Sequence, residues 1–147
     1  MTLTFIDDPD GKQFAAIFRL YETAGWWTGR TRESPDLVRR IVTGSHCFVL
    51  AEEGKEIVGM GRAISDGVSD AYLQDVSVRP EFRKRGIGSR IVREILLRLQ
   101  TDGLQWVGLI AGRKSRSFYR HLGFEEMPAA TAMLMMINFE RALREQG

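Results

Sequence analysis

The chain has 147 residues, 44% of them apolar and 27% charged, with a net charge of +2. These values exclude a disordered polymer, and the charge balance speaks against a dedicated nucleic-acid partner. With Cys47 as the single cysteine, and His46 and His121 far apart, neither a disulfide nor a metal centre is expected.

The opening residues MTLTFIDDPDG carry no basic segment followed by an apolar run, so no secretory leader is expected, and no segment is long enough for a membrane span. A reducing, cytoplasmic setting without a membrane partner is the default expectation. The length suits one domain over residues 1–147.

TLTFI alternates and predicts a first strand. From Lys12 to Thr23, Phe14, Ile17, Phe18 and Tyr21 recur at helical spacing, and Gly25 ends that helix. WWTGRTRE follows as a loop holding Trp26 and Trp27. Ser34 and Pro35 predict the next helix start, as N-cap and first helical residue. Leu37, Val38, Ile41 and Val42 are its buried stripe, and Gly44 closes it. HCFVLAEEGKEIVGMGRAI reads as a hairpin turning near Glu53-Gly54. Asp66-Gly67 marks a turn, Ala71–Val78 a strand, and Pro80 its stop.

The next helix has the clearest pattern. Ile87, Ile91, Ile95 and Leu99 recur every fourth residue, Val92 and Leu96 widen the stripe, and Asp102-Gly103 ends it. Gln105–Ala111 predicts a buried strand and Ser115–His121 a short helix closed by Gly123. FEEM and TAMLMMI predict final strands. This mixed order implies an α/β or α+β sheet with helices on both sides.

Between the Ala71–Val78 strand and its helix stands RPEFRKRGIGSR, with five basic residues and two glycines. A helix start leaves main-chain N–H groups unpaired and partly positive, which makes it an anion site. Gly86 and Gly88 let a bulky anion approach the main chain, and Arg83, Lys84 and Arg85 add charge, so a diphosphate fits better than a carboxylate. The P-loop pattern is absent. The dinucleotide fingerprint fails at Ile91, where its third glycine would stand.

VRPEFRKRGIG from Val78 to Gly88 matches V-x-P-x-x-R-x-x-G-x-G, and FYRHLGF from Phe118 to Phe124 matches F-Y-x-x-L-G-F. With these two segments in order and one strand between them, the chain resembles the GNAT acyltransferase superfamily over nearly its whole length. The resemblance implies a mixed, largely antiparallel sheet of six to seven strands with about four helices on both faces. Two parallel strands, Ala71–Val78 and Gln105–Ala111 by match, splay apart to form the cofactor cleft. It also implies acetyl-CoA as the cofactor, with no metal.

By that resemblance the pantetheine arm pairs with the main chain of Val76, Ser77 and Val78, and the diphosphate rests on N–H groups of Arg85, Gly86, Ile87, Gly88, Ser89 and Arg90. The Arg83 and Lys84 side chains are candidates for the phosphates. Many members carry an asparagine near the end of the second splayed strand. Here AGRKSRS stands instead, and Arg113, Lys114 or Arg116 is the candidate substitute.

The implied chemistry is direct transfer of an acetyl group to an amine. Tyr119 matches the family's proton donor to the leaving thiolate; packing beside Phe118 and Phe124 is its other reading. Asp75 is a candidate base and equally a hydrogen-bonded structural carboxylate. Strand alternation puts Leu73, Asp75 and Ser77 on one face and Tyr72, Gln74, Val76 and Val78 on the other. Gln74 is a candidate for orienting the acceptor.

Tyr21, Trp26, Trp27 and the MLMMI tail are candidates for lining the acceptor pocket; a core or oligomer contact is the alternative for the tryptophans. LYETAGW and LQDVSV loosely resemble the plant serotonin N-acetyltransferase-like branch, which implies an arylalkylamine. A protein N-terminus, a lysine, aminoacyl-tRNA and a non-catalytic CoA-binding role remain open alternatives. The Met-rich strand suits either a core or a homodimer contact. Cys47 reads as core and His121 as structural.

Overall fold

Five extended runs pair into one sheet: β1 (Thr2–Phe5), β2 (Cys47–Glu53), β3 (Glu56–Ser65), β4 (Asp70–Val78) and β5 (Trp106–Gly108). Their spatial order is their chain order, antiparallel from β1 to β4 and parallel between β4 and β5. Four α-helices accompany them among the described residues: α1 (Gly11–Thr23), α2 (Leu37–Gly44), α3 (Ile87–Thr101) and α4 (Arg116–His121). The computed structural model describes residues 1–27 and 36–137, so the Ser34–Pro35 helix start lies outside the described residues. The chain divides into two units, Met1–Leu109 and Ile110–Gly147.

In the first unit, the ends of α1 follow from local chemistry. Asp10 accepts from the Gln13 amide at 2.8 Å while the Gln13 side chain accepts from the Asp10 amide at 3.0 Å, a reciprocal cap. At the other end Gly25 takes φ +76°, which an L-residue resists. The chain then turns so that the Trp26 amide donates back to the Tyr21 carbonyl at 3.4 Å.

One apolar cluster joins Ile17, Leu20 and Tyr21 of α1 and Val38 and Val42 of α2 to Phe48, Leu50, Ile57 and Met60 of the sheet. Each such buried side chain contributes about 1.5–3 kcal/mol, and this sets the register of the strands beneath. The opposite face takes α3, through Ile91 and Ile95. Here β3 presents glycines. A Cβ at Gly61 would stand 2.7 Å from Ile91 Cγ2 and 3.0 Å from Ile95 Cδ1, and one at Gly59 would stand 2.9 Å from Ile91 Cδ1. The glycines let α3 sit directly on the sheet. Gly61→Ala is therefore expected to destabilise by about 1–3 kcal/mol through overpacking. A Tm lowered by about 3–10 °C in calorimetry would show it; an unchanged Tm would mean that α3 does not press on β3.

The C-terminal end of α3 is tied to the hairpin. Asp102 Oδ2 lies 2.7 Å from His46 Nε2 and 3.0 Å from Arg98 Nε. The His46 hydrogen bond, then Arg98, hold the Asp102 carboxyl below its ordinary pKa. A depressed folded pKa stabilises above the unfolded pKa, near 3.9, and that contribution disappears as pH falls through the folded value. Asp102→Asn should lower Tm at pH 7, and the gap from wild type should close as pH falls through the lowered pKa of the folded state. A gap that persists in acid would place the effect in packing instead.

The second unit begins where β5 ends. Its helix α4 closes with Gly123 at φ +100°, and the Phe124 amide donates to the Tyr119 carbonyl at 3.1 Å. Arg116 pairs with Glu126 at 2.9 Å.

Among the described residues the sheet thus has five strands where six to seven are expected, and β5 spans Trp106–Gly108 where Gln105–Ala111 is expected. FEEM and TAMLMMI form no strand among the described residues. Met133, Leu134, Met135, Met136 and Ile137 are 77–90% exposed. Apolar character prepares a segment for a strand, but the ladder partner creates the strand.

Candidate active site

The sequence rule of alternating faces breaks in the middle of β4. Met60 pairs with Ser77 and Arg62 with Gln74, so Asp75 and Val76 together stand opposite Gly61. This is a β-bulge, and Asp75 absorbs it at φ +56°. A left-handed non-glycine residue costs about 1–3 kcal/mol and persists only where its surroundings hold it, although Asp tolerates the region better than most.

The bulge corrects the expected faces. Asp75 and Gln74 both reach Arg62, at 2.6 Å from Nε and 3.4 Å from Nη2. Val76 and Val78 flank Gly61 and Gly59 on the α3 side. Strand alternation resumes one residue out of phase, because the bulge inserts an extra residue.

The edge of β4 facing away from β3 is only partly used. β5 pairs with it at Asp70, Ala71 and Tyr72, and from Leu73 to Val78 no strand lies beside it among the described residues. An open strand edge accepts an extended ligand by main-chain hydrogen bonds. Val76, Ser77 and Val78 belong to this stretch.

Beyond Val78 the chain makes a 3-10 turn, Pro80–Phe82, and reaches α3 through a loop with two left-handed residues, Lys84 at φ +62° and Gly86 at φ +80°. Alternation of right- and left-handed residues is the backbone form of anion concavities. Gly86 is the N-cap of α3 and no side chain caps the helix, so the N–H groups of Ile87, Gly88 and Ser89 have no partner within it.

The basic side chains divide their work. Arg83 Nε donates to the Val78 carbonyl at 3.0 Å and braces the end of β4. Arg85 lies over the Phe82 ring at 5.1 Å and 3.9 Å from Glu53. Arg79 also stacks on Phe82 and pairs with Glu81. Lys84 and Arg90 make no ion pair among the described residues and are exposed.

The aromatic candidates gather on Tyr21, which reaches Asp75. Gly25 turns the chain back, which stacks Trp27 on Tyr21 at 4.4 Å and sets Trp26 edge-on at 6.1 Å. Tyr21 is buried beneath Trp27 and donates to Asp75 Oδ2 at 2.7 Å, whereas Trp26 is 49% exposed. Burial, followed by the Asp75 charge, pushes the Tyr21 phenol far up, so it remains a donor at every working pH.

Arg113 and Tyr119 belong to the second unit. The Tyr119 ring lies edge-on to Phe118 at 4.9 Å and to Phe124 at 5.7 Å, and burial raises its pKa. Arg113 is exposed ahead of α4. Among the described residues no cluster of His, Cys, Asp or Glu is arranged to hold a metal, and no helix is long and apolar enough to cross a membrane.

The sequence reading missed Arg62. Its guanidinium lies between Asp75, Gln74 and Ser45 Oγ, the last at 3.3 Å. A signal was present: IVGMGRAI is a buried strand with one charge in it, and such a charge must find a partner.

An uncapped helix start behind left-handed residues, following an open strand edge, offers main-chain hydrogen bonds to an extended chain and N–H groups to an anion. Residues 43–126 match the Acetyltransferase (GNAT) domain family, and the chain belongs to it. That match runs across both units. The uncharacterized N-acetyltransferase ycf52 of Gracilaria tenuistipitata var. liui is 26% identical over 106 residues, 72% of this chain and 58% of that protein. Serotonin N-acetyltransferase 2, chloroplastic, of Oryza sativa subsp. japonica is 29% identical over 106 residues, 69% of this chain and 53% of that protein. The chain thus spans just over half the length of these relatives. A GNAT family acetyltransferase of Streptococcus pneumoniae TIGR4 superposes with a TM-score of 0.76 at 26% identity, over 92% of this chain and 97% of that one.

Proposed function

We propose that this chain transfers the acetyl group of acetyl-CoA to the nitrogen of a small primary amine. The observation that carries the reading is the path from the open edge of β4 at Val76–Val78 to the uncapped start of α3 at Gly86. Acetyl-CoA needs both a strand-like seat for its arm and a concavity of N–H groups for its diphosphate. When bound, it supplies an activated thioester.

The chain's own residues do the rest. Main-chain groups of Val76, Ser77 and Val78 orient the arm, and the N–H groups of Arg85 to Ser89 hold the diphosphate; the Arg90 amide, expected to join them, instead donates to the Gly86 carbonyl at 3.1 Å as the first bond of α3. Lys84 and Arg90 are free to add charge there, and Arg113 is a further candidate for it. A main-chain N–H near Val76 donates to the carbonyl oxygen as charge gathers on it. Tyr119 gives its phenolic proton to the departing sulfur. Gln74 orients the acceptor. For Asp75 the engagement of Oδ2 by both Arg62 and Tyr21 supports the holding role over that of a free base.

An aromatic acceptor is supported by Trp26 and Trp27 gathered over Tyr21, and by likeness to the rice protein named for serotonin. A protein N-terminus, a lysine and aminoacyl-tRNA are competing acceptors.

Calorimetric titration with acetyl-CoA tests the seat. A thiol-release screen across arylalkylamines, aliphatic amines, lysine and peptide N-termini tests the chemistry. Release with arylalkylamines alone is the expected result. Binding without release from any amine would make the chain a CoA-binding module, and no binding would end the reading.

A further inference from the structure

The bulge at Asp75 is held from both sides. On the α3 side Gly61 is in contact range of Ile91 and Ile95, so the sheet has no room to move that way. On the other side a single carboxylate oxygen, Asp75 Oδ2, accepts from Arg62 Nε at 2.6 Å and from the Tyr21 hydroxyl at 2.7 Å. Arg62 is in turn anchored at Ser45 Oγ and Gln74 Oε1, at 3.3 and 3.4 Å. Its side chain is 14% exposed and that of Asp75 22%. Aspartate tolerates the left-handed region better than most residues, yet in the middle of a strand it still needs outside support. These two donors from β3 and α1 supply what local preference does not.

We infer that Arg62 and Tyr21 are positioning residues for acetyl transfer, acting through Asp75: they clasp its carboxylate, fix the β4 bulge, and thereby set the direction of the Val76 main chain. The inference rests on the reading of this edge as the thioester's seat. Arg62 touches Asp75, Gln74 and Ser45 rather than a reacting atom. Its work is to keep the next residue's N–H aimed, and an error of an ångström in such aim costs rate far more than binding. The diphosphate, held at α3, keeps most of the affinity.

The decisive experiment compares Tyr21→Phe, Arg62→Lys, Asp75→Asn and Asp75→Ala with the wild type, for kcat and for acetyl-CoA affinity by calorimetry. Tyr21→Phe removes one hydroxyl and serves as the mild variant if the others fold poorly. Tyr21→Phe and Arg62→Lys should each lower kcat about tenfold, with the acetyl-CoA Kd unchanged within about threefold. Asp75→Asn, which still accepts both hydrogen bonds and enters the left-handed region readily, should keep most of the activity, while Asp75→Ala should lose it.

Wild-type kcat in Tyr21→Phe and Arg62→Lys would overturn the clasp. So would an Asp75→Asn as inactive as Asp75→Ala with the acidic limb of its pH–rate profile gone, because the carboxylate would then be the base. Hydrogen exchange in the β3–β4 ladder on either side of the bulge reads the same geometry without turnover. Faster exchange in Tyr21→Phe supports the clasp even if wild-type protein ignores acetyl-CoA, a result that would remove the proposed function alone; unchanged exchange in that case overturns the clasp as well.

Discussion

Gly86→Val is expected to weaken acetyl-CoA binding roughly a hundredfold, or about 2.7 kcal/mol. Nothing lies within 4 Å of where a Cβ would stand, so crowding is not the cause. The cause is backbone conformation. Gly86 holds φ +80° at the N-cap of α3, and an L-residue there costs about 1–2 kcal/mol, more when β-branched. Valine would turn the residue back to negative φ and re-aim the N–H groups that follow. The loss of one hydrogen bond to a charged group, at about 1.5–3 kcal/mol, brackets this figure. Gly86→Asn, which enters the left-handed region more easily, should retain much of the affinity. Calorimetry on the three proteins decides it: valine binding as tightly as glycine would move the diphosphate elsewhere.

Tyr119→Phe should reduce kcat by about ten- to a thousandfold with little change in acetyl-CoA affinity. The ring keeps its edge-on contacts with Phe118 and Phe124, so stability should change little. Burial raises the pKa of the hydroxyl, so it is protonated and ready to donate throughout the neutral range. For a group that acts as an acid, activity falls only as pH rises through its pKa. The alkaline limb of kcat should therefore lie above about pH 10 and disappear in the phenylalanine variant. Undiminished turnover would return Tyr119 to a packing role.

Much of this was legible along the chain. The i, i+4 isoleucines of α3, the Gly25 and Gly123 stops and the β2–β3 hairpin are short-range patterns, and each formed where its own residues specify it. The basic, glycine-bearing approach to α3 was also legible as a loop leading into an uncapped helix start, which needs no distant partner to form. The position of Tyr21 under Trp27 was not legible. Periodicity marked Tyr21 as apolar-facing, but its hydroxyl meets an aspartate 54 residues away. The expected FEEM and TAMLMMI strands failed for a related reason, since neither has a ladder partner among the described residues.

The sequence alone determined the run of helices, the hairpin, the glycine-bearing loop before α3 and the family, since all of these depend on residues a few positions apart. Tertiary structure alone decided the face on which Asp75 lies, the recruitment of Arg62, and where the sheet stops. A bulge shifts every later side chain by one place, and it arises from contacts that α1, α3 and β3 make across the fold. No local pattern encodes those contacts, because they exist only once the elements have packed.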